Sequence, residues 1–304
     1  MTAPTVVVVI PTLGRDDRLR RTIDSVLAQD YAGDVRIMLV FDGPPDSDAD
    51  RWDLQQPGRA VTHHVLTKRI GPGPARNHGV AVTSEELVAF CDDDDIWRPT
   101  KLRRQVEALD QTDAVACFCG IAVHHGGRVV ERTPTEPELS YRHILQTRTA
   151  AAHQSALLTT RVAWDETGGF DEAVPGSYGE DFDWLIRIAR LGHITAVAET
   201  LVDVDWHPGS HFARRWDLMD QALDYLMDKH PDLQADPRAR SRIRGQQAFA
   251  CAASRRRGRA VRLCWDAWRT RPAEPRTYLA LLVTIVPSAA NVILAALQRL
   301  GRGI

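Results

Sequence analysis

Four consecutive aspartates, Asp92 to Asp95, are the side chains of this sequence with the clearest capacity for chemistry. Adjacent carboxylates repel one another, so the run is costly unless a cation or strong hydrogen-bond donors offset its charge. Carboxylate oxygens are the ligands that Mg²⁺ and Mn²⁺ prefer, and these ions commonly join one or two carboxylates to a diphosphate. The run therefore predicts either a metal site or a solvated acidic turn.

The position of the run favours the metal site. It directly follows the apolar segment Leu87 to Cys91, which predicts a strand, and Asp42 likewise follows the apolar segment Val35 to Phe41. In open α/β sheets, ligands bind beyond the carboxyl ends of the strands. We therefore expect both sets of carboxylates at one edge of a sheet, beside a ligand.

A glycine-rich turn, Gly71 to Asn77, leads into a helix predicted over Ala75 to Val82. Backbone N–H groups at a helix start and the planar guanidinium of Arg76 suit a phosphate or a nucleotide base. The turn matches neither the P-loop nor the dinucleotide-binding fingerprint, so the type of ligand is left open.

Strands and helices alternate around these groups. The β-branched run Val6 to Ile10 predicts a strand buried on both faces, an amphipathic helix spans Leu19 to Leu27, and a further strand is predicted at Val61 to Leu66. Two short strands are predicted later, at Ile194 to Ala198 and at Leu201 to Val204. This order indicates a doubly wound α/β sheet with right-handed crossovers.

The sequence becomes helical after residue 212, which predicts a catalytic region 1–212 and a helical region 213–304 made of a helical hairpin and apolar last helices. The segment Thr277 to Gln298 carries no charge and is long enough to cross a bilayer, but Pro287 interrupts it. We expect a packed pair of soluble helices there. Peripheral contact with a membrane through 277–298 and a true span are the alternatives.

Composition restricts the class of protein. The 304 residues are 44% hydrophobic and 26% charged, which is ordinary for soluble proteins, and a net charge of -2 argues against binding nucleic acid. The five scattered cysteines do not make a disulfide scaffold, and the first residues lack a secretory signal. We expect a cytoplasmic protein, or one held peripherally at the inner face of the membrane.

Taken in order, the motifs resemble those of family 2 glycosyltransferases over residues 5–212. The resemblance implies the GT-A fold, which is an α/β fold with a Rossmann-like mixed sheet and flanking helices, here followed by the α-helical C-terminal extension. The motifs are Pro11-Thr12, Asp42-Gly43, Gly73-Pro74-Ala75-Arg76-Asn77, Phe90 to Trp97, Gly168 to Glu172, and Glu180 to Trp184 with Arg187.

The resemblance also implies roles for single residues. Asp181 matches the general base that deprotonates the acceptor. Asp94 matches the metal ligand, and His207, with His211 as its rival, would lie near that metal. The residues that would contact the nucleotide sugar are Pro11, Thr12, Asp42, Arg76, Asp92 and Asp93. Those that would meet the acceptor or the transferred sugar are Trp97, Gly169, Glu180 and Trp206.

Several of these roles have plain structural alternatives. Asp181 stands at a predicted helix start, where the helix dipole favours acidic side chains in any protein. Trp97 and Trp206 would either stack on a sugar ring or fill the core. His207 precedes Pro208 in a loop and would otherwise be a surface histidine.

The function implied is inverting transfer of a sugar, by single displacement, from a UDP-, GDP- or TDP-linked donor to a hydroxyl acceptor. Displacing a nucleoside diphosphate builds negative charge that Mn²⁺ or Mg²⁺ would stabilise, and the acceptor hydroxyl needs a carboxylate base. The acceptor would be a glycan, a lipid-linked sugar or a small molecule. A nucleotidyltransferase with a similar acidic site, or a non-catalytic nucleotide- or sugar-binding scaffold, is the alternative. The sequence leaves the oligomeric state open.

Overall fold

The computed structural model describes residues 3–14, 16–45, 48–147, 149, 151–205 and 215–299. The chain divides into two compact units, which we call the sheet unit and the helical unit. The sheet unit comprises Met1–Tyr141, Thr149–Glu172 and Glu180–Trp206, and the helical unit comprises Arg142–Arg148, Ala173–Gly179 and His207–Ile304.

The sheet unit is built on a ten-stranded mixed sheet. Its strands are β1 Val6–Thr12, β2 Val35–Phe41, β3 Leu54–Gln56, β4 Arg59–Val65, β5 Leu87–Phe90, β6 Ile96–Trp97, β7 Ala116–His125, β8 Arg128–Arg132, β9 Leu157–Thr160 and β10 Ile194–Asp205. Their order is β3-β4-β2-β1-β5-β9-β7-β10-β6, and β8 pairs with β7. Strands β4, β2, β1 and β5 are parallel, whereas β9 runs antiparallel to both of its neighbours. The sheet is therefore mixed, as the resemblance implied.

Strand β1 occupies the centre of the parallel part, where β2 and β5 cover its two edges. Its residues Val6 to Ile10 are completely buried, which confirms the strand predicted from the β-branched run. The register pairs Thr12 with Phe41 and Val9 with Phe90. The carboxyl ends of β1, β2 and β5 therefore meet at one edge, and the segments that follow them carry the predicted site residues.

Strand β10, the last strand in the sequence, differs from its prediction. Ile194–Asp205 is one strand, β10, so the prediction of two strands was wrong. Its pairing with β7 shifts register between Val197 and Val202, and the backbone of Glu199 passes so close to Gly120 that a Cβ there would lie 2.8 Å from the Glu199 carbonyl oxygen. A bulge accommodates the polar residues that had suggested an interruption.

The described residues before 215 form six α-helices. They are α1 Asp16–Leu27, α2 Pro72–Ala81, α3 Lys101–Thr112, α4 Tyr141–Gln146, α5 Arg161–Thr167 and α6 Glu180–Leu191. Helix α2 begins at the predicted glycine-rich turn, with Gly71 at φ 97° immediately before Pro72. Such a φ is strained for other residues, so glycine sets the direction in which α2 starts.

The helical unit contains α7 Trp216–Lys229, α8 Pro231–Ala235, α9 Pro237–Ala253, α10 Arg257–Thr270, α11 Pro275–Ile285 and α12 Ala289–Arg299. Helix α9 packs against α7, α10 and α11, and Ala248, Ala252 and Ala260 are completely buried among them. The predicted hairpin is α9 with α10. The apolar segment is two helices separated near Pro287, and within the described ranges no helix has the length and apolar character needed to span a membrane.

Candidate active site

The four aspartates of the loop after β5 alternate in their surroundings. Asp93 and Asp95 are buried, whereas Asp92 and Asp94 are partly exposed. Asp95 accepts a hydrogen bond from Ser155 Oγ at 2.5 Å. Its burial, and then the neighbouring Asp92, hold the pKa of Asp95 well above its ordinary value. Asp93 and Asp95 are therefore enclosed by the protein, whereas Asp92 and Asp94 reach solvent.

Asp93 is held by Thr12, the last residue of β1. The Thr12 hydroxyl donates to Asp93 Oδ2 at 2.7 Å, and both side chains are buried. The structure thus brings together two residues predicted to bind the nucleotide sugar, and joins them in one hydrogen bond between the end of β1 and the acidic loop. Pro11 precedes Thr12 on the same strand. Direct contact of these residues with a nucleotide stays a prediction.

Arg76 on α2 is the cation beside the acidic loop. It is 5% exposed, its Nη2 pairs with Asp92 Oδ1, and its Nη1 lies 3.6 Å from Glu180 Oε1. Burial alone would lower the pKa of Arg76, but Asp92 and then Glu180 outweigh it and leave the pKa above its ordinary value. Asp181 adds a smaller contribution of the same sign. Arg76 is therefore a permanent charge between the acidic loop and the start of α6.

The two acidic residues at the start of α6 differ in exposure. Glu180 is buried, and a Cβ at Gly73 would overlap its carboxylate, so the glycine of the turn makes room for it. Asp181 is partly exposed, and its Oδ1 accepts the backbone N–H of Phe182 at 2.8 Å. Of this pair, Asp181 is the carboxylate that an acceptor in solvent would meet.

Asn77 on α2 is hydrogen-bonded to the segment of the predicted motif Gly168 to Glu172. The Asn77 amide donates to the Phe170 carbonyl and accepts the Phe170 N–H, both at 2.8 Å. Arg187 donates to the Gly169 carbonyl at 2.7 Å. Gly169 has φ 69°, and a Cβ there would come within 2.7 Å of Asn77 Oδ1. Gly169 therefore packs against Asn77, the residue after Arg76 on α2. Its contact with a sugar stays a prediction.

Asp42 anchors the loop that leads into α2. Its two carboxylate oxygens accept the backbone N–H groups of Ile70 at 2.7 Å and Gly71 at 3.0 Å. Asp42 is only partly buried, so this anchoring does not enclose it. The sequence placed Asp42 at the correct edge of the sheet but gave no sign of its partners.

Trp97 is buried in β6, which directly follows the acidic loop. The Lys101 ammonium sits 3.7 Å from the centre of its ring and donates to Gln105 Oε1 at 2.7 Å. Gln105 in turn donates to the carbonyls of Cys117 and Ala156. These contacts give Trp97 a packing role, and its contact with a sugar stays a prediction.

Besides Ser155, sequence analysis missed further residues that border the acidic loop. Arg18 Nη1 lies 3.5 Å from Asp94 Oδ2 and 3.8 Å from Asp205 Oδ2, so the end of β10 comes close to the predicted metal ligand. His153 joins Asp92 and Asp95 in a group whose possible ligand atoms lie within 4.8 Å of one another. Only spatial proximity reveals these partners. The predicted residues Trp206, His207 and His211 lie outside the described residues.

Carboxylates suit the metal expected here. Asp92 and Asp94 offer hard oxygen ligands at the exposed side of the loop, which is the donor chemistry that Mn²⁺ and Mg²⁺ require. A second possible ligand group, Asp50 with Asp53 and His63, belongs to the segment around β4 and is not among the predicted site residues.

Two of the solved structures that resemble this chain show that its fold is the GT-A fold. Staphylococcus aureus TarS 1-349 in complex with UDP-GlcNAc matches with a TM-score of 0.64 and 14% identity, over 98% of this chain and 92% of that chain. The mannosyltransferase PcManGT from Pyrobaculum calidifontis, in complex with GDP-Man and Mn²⁺, matches with a TM-score of 0.58 and 20% identity, over 94% and 80%. The likeness establishes the GT-A fold and confirms the expected fold class.

The family follows from the sequence match. The family model for glycosyl transferase family 2 matches residues 7–162, just over half of the chain. The chain therefore belongs to glycosyltransferase family 2, as the motifs predicted.

Two relatives show the range of similarity. An uncharacterized glycosyltransferase of Nostoc sp. is 35% identical over 125 residues, which are 40% of this chain and 38% of the relative. WfaP of Escherichia coli, a UDP-Glc:alpha-D-GlcNAc-diphosphoundecaprenol beta-1,3-glucosyltransferase, is 23% identical over 220 residues, which are 69% and 80%. The matches with the first five relatives span 34% to 63% of their lengths.

Proposed function

We propose that this enzyme transfers a sugar from a nucleoside-diphosphate sugar to an acceptor hydroxyl by a single displacement that inverts the anomeric carbon. The observation that carries the proposal is the pair of acidic groups on either side of Arg76. The partly exposed carboxylates of the acidic loop lie on one side, and Glu180 with Asp181 lies on the other. The two groups divide the chemistry into a donor half and an acceptor half.

In the donor half, Asp94 would hold Mn²⁺ or Mg²⁺, and Asp92 would contact the nucleotide sugar. When bound, the metal would neutralise charge on the departing diphosphate. Asp93 and Asp95 keep the loop in place from its buried side through Thr12 and Ser155. We retain His207 as a proposed further ligand, with His211 as its rival.

In the acceptor half, Asp181 would act as the general base. The acceptor oxygen attacks the anomeric carbon, the bond from that carbon to the diphosphate oxygen breaks, and its electron pair leaves with the diphosphate. The acceptor proton passes to the Asp181 carboxylate. Glu180 is less suited to this step because it is buried and faces Arg76.

The donor and acceptor are proposed by class. TarS and PcManGT, whose complexes contain UDP-GlcNAc and GDP-Man, support a UDP- or GDP-linked donor, and we retain a TDP-linked donor as an alternative. WfaP, which acts on a diphosphoundecaprenol-linked sugar, supports a lipid-linked acceptor beside a glycan or a small molecule. All five cysteines are free thiols, which suits a reducing compartment, so we propose a cytoplasmic enzyme. Residues 1–212 would form its catalytic region and 213–304 a helical one.

Asp181→Asn tests the proposal, because it removes the base and preserves the size of the side chain. We expect transfer to fall by about 10² to 10⁴-fold, with the dissociation constant of the donor unchanged within about twofold. Release of nucleoside diphosphate from UDP-Glc, UDP-GlcNAc, GDP-Man and TDP-Glc measures transfer, and calorimetry measures binding. Asp165→Asn, at an exposed position on α5, is the matched control. Transfer at the control rate by Asp181→Asn would contradict the assignment.

A further inference from the structure

Positive charge is concentrated at one end of the chain. Residues 255–304 contain ten arginines and only two carboxylates, a net charge of +8 in a chain whose total is -2. Both carboxylates are paired inside the helical unit, Asp266 with Arg240 and Glu274 with Arg276. Acidic residues of α7 compensate part of this charge, and the described arginines that lack a carboxylate partner present positive charge to solvent.

The six arginines between residues 255 and 269 fall into two groups. Arg256 and Arg259 form ion pairs with acidic residues of α7, among them Asp220, at 3.0 Å and 2.8 Å. Four others are exposed and have no carboxylate partner in the parts of the chain that the structure describes. They are Arg255, Arg257, Arg262 and Arg269. The first group holds the unit together, and the second is available to an external anion.

Large apolar side chains stand exposed among these arginines. Val261, Trp265 and Trp268 form one stripe of α10, and the two indole rings stack with centroids 5.3 Å apart. Trp265 is 58% exposed and Trp268 is 43% exposed. On α11, Ile285 is 75% exposed. We call this set the α10–α11 face; it comprises Val261, Trp265, Trp268, Tyr278, Leu281, Leu282 and Ile285.

A concavity lies beside the first of the exposed arginines. It has a volume of about 590 Å³ and is lined by Arg255 and Arg257 at the start of α10 and by Pro287 and Ser288 between α11 and α12. Two guanidinium groups and a hydroxyl offer hydrogen-bond donors to a phosphate group. The cationic and apolar features therefore belong to the same three helices.

We propose that the α10–α11 face docks on an anionic lipid bilayer, with lipid phosphates at Arg255 and Arg257. Helices that lie at a membrane surface combine arginine with tryptophan and large aliphatic residues, and basic residues next to them are attracted by anionic headgroups. A second copy docked through the same face would set the exposed Arg262 and Arg269 of one copy against those of the other. The sequence had suggested membrane contact only for 277–298, and the structure extends the contact surface to α10.

Vesicle sedimentation with the full chain tests this proposal. We expect binding to vesicles that contain about 30% phosphatidylglycerol, little binding to phosphatidylcholine alone, and a loss of binding at high salt. Arg262→Gln with Arg269→Gln should weaken binding roughly 25-fold, about fivefold for each arginine. Trp265→Ser with Trp268→Ser should weaken it at least tenfold by removing interfacial apolar area.

The controls use exposed positions of the sheet unit. Arg128→Gln with Val162→Ser should bind as the wild type does, and every variant should retain the wild-type circular dichroism and melting temperature, because all the positions are exposed. Absence of wild-type binding to anionic vesicles would overturn the proposal, as would equal binding to both lipids. A wild-type dimer that the tryptophan variant dissociates, without vesicle binding, would assign the face to a second copy instead.

Discussion

Ser155 joins two parts of the acidic loop, and Ser155→Ala should disrupt both. Its buried hydroxyl donates to Asp95 Oδ2 at 2.5 Å and accepts the Asp92 backbone N–H at 3.0 Å. An ordinary hydrogen bond contributes about 0.5 to 1.5 kcal/mol, and an N–H left without a partner costs about 1 to 3 kcal/mol. We therefore expect the free energy of unfolding to fall by about 2 kcal/mol.

The same variant should weaken donor binding, because Asp92 loses the anchor that sets its backbone position. Urea unfolding measures the first effect, and calorimetric titration with nucleoside diphosphate and Mn²⁺ measures the second. Ser84→Ala, at an exposed serine, should change neither quantity by more than about 0.5 kcal/mol. In the background of Asp95→Asn, Ser155→Ala should cost less than it does alone, because the carboxyl partner of the Ser155 hydroxyl is already gone. A loss below about 0.5 kcal/mol in the wild-type background would refute the reasoning.

Two further predictions concern the packing around Glu180 and the pH dependence of stability. Gly73→Ala should destabilise the protein by about 1 to 3 kcal/mol and displace Glu180 from Arg76, because the added Cβ would overlap the Glu180 carboxylate. Gly258→Ala is the control: its Cβ would meet open space, so it should stabilise the protein by about 0.5 to 1 kcal/mol. Equal effects of the two variants in urea unfolding would contradict this reasoning. Burial raises the pKa of Tyr31 to about 12, so its contribution to stability is complete below the unfolded pKa of about 10 and is lost as the pH rises to 12. Tyr31→Phe should therefore flatten the fall in unfolding free energy between those pH values, and an unchanged slope would contradict the assignment.

The sequence predicted the sheet edge well because its signals are local. The apolar runs before Asp42 and Asp92 mark strand ends, and parallel strands place their carboxyl ends at one edge. The acidic run predicts a metal site, which stays a prediction, and the ordered motifs predict the family, which the match to the family model confirms.

Partnerships across distant parts of the chain could not be predicted in this way. Ser155 reaches Asp95 from 60 residues away, and Arg18 approaches Asp94 from α1. No sequence pattern distinguishes the buried Asp93 and Asp95 from the exposed Asp92 and Asp94, because the distinction depends on which neighbours enclose each carboxylate.

The exposure of the α10–α11 face also could not be predicted from the sequence. Trp265 and Trp268 have the spacing of a helix face, and tryptophan is commonly buried. Only the packing of α10 on α9 shows that Ala260, Leu263, Cys264 and Ala267 take the buried side. The structure therefore reverses the ordinary expectation for these two indoles.

The metal dependence of donor binding tests the central claim most directly. Calorimetry would measure the dissociation constants of UDP, GDP and TDP sugars, with Mn²⁺ and with a chelator, for the wild type and for Asp94→Asn. We expect one nucleotide class to bind at least about tenfold more tightly to the wild type with Mn²⁺, a free-energy gain of about 1.4 kcal/mol, and we expect Asp94→Asn to lose that gain. Equally tight binding in the chelator, or an undiminished effect of Mn²⁺ on Asp94→Asn, would contradict the assignment of the acidic loop as the metal site.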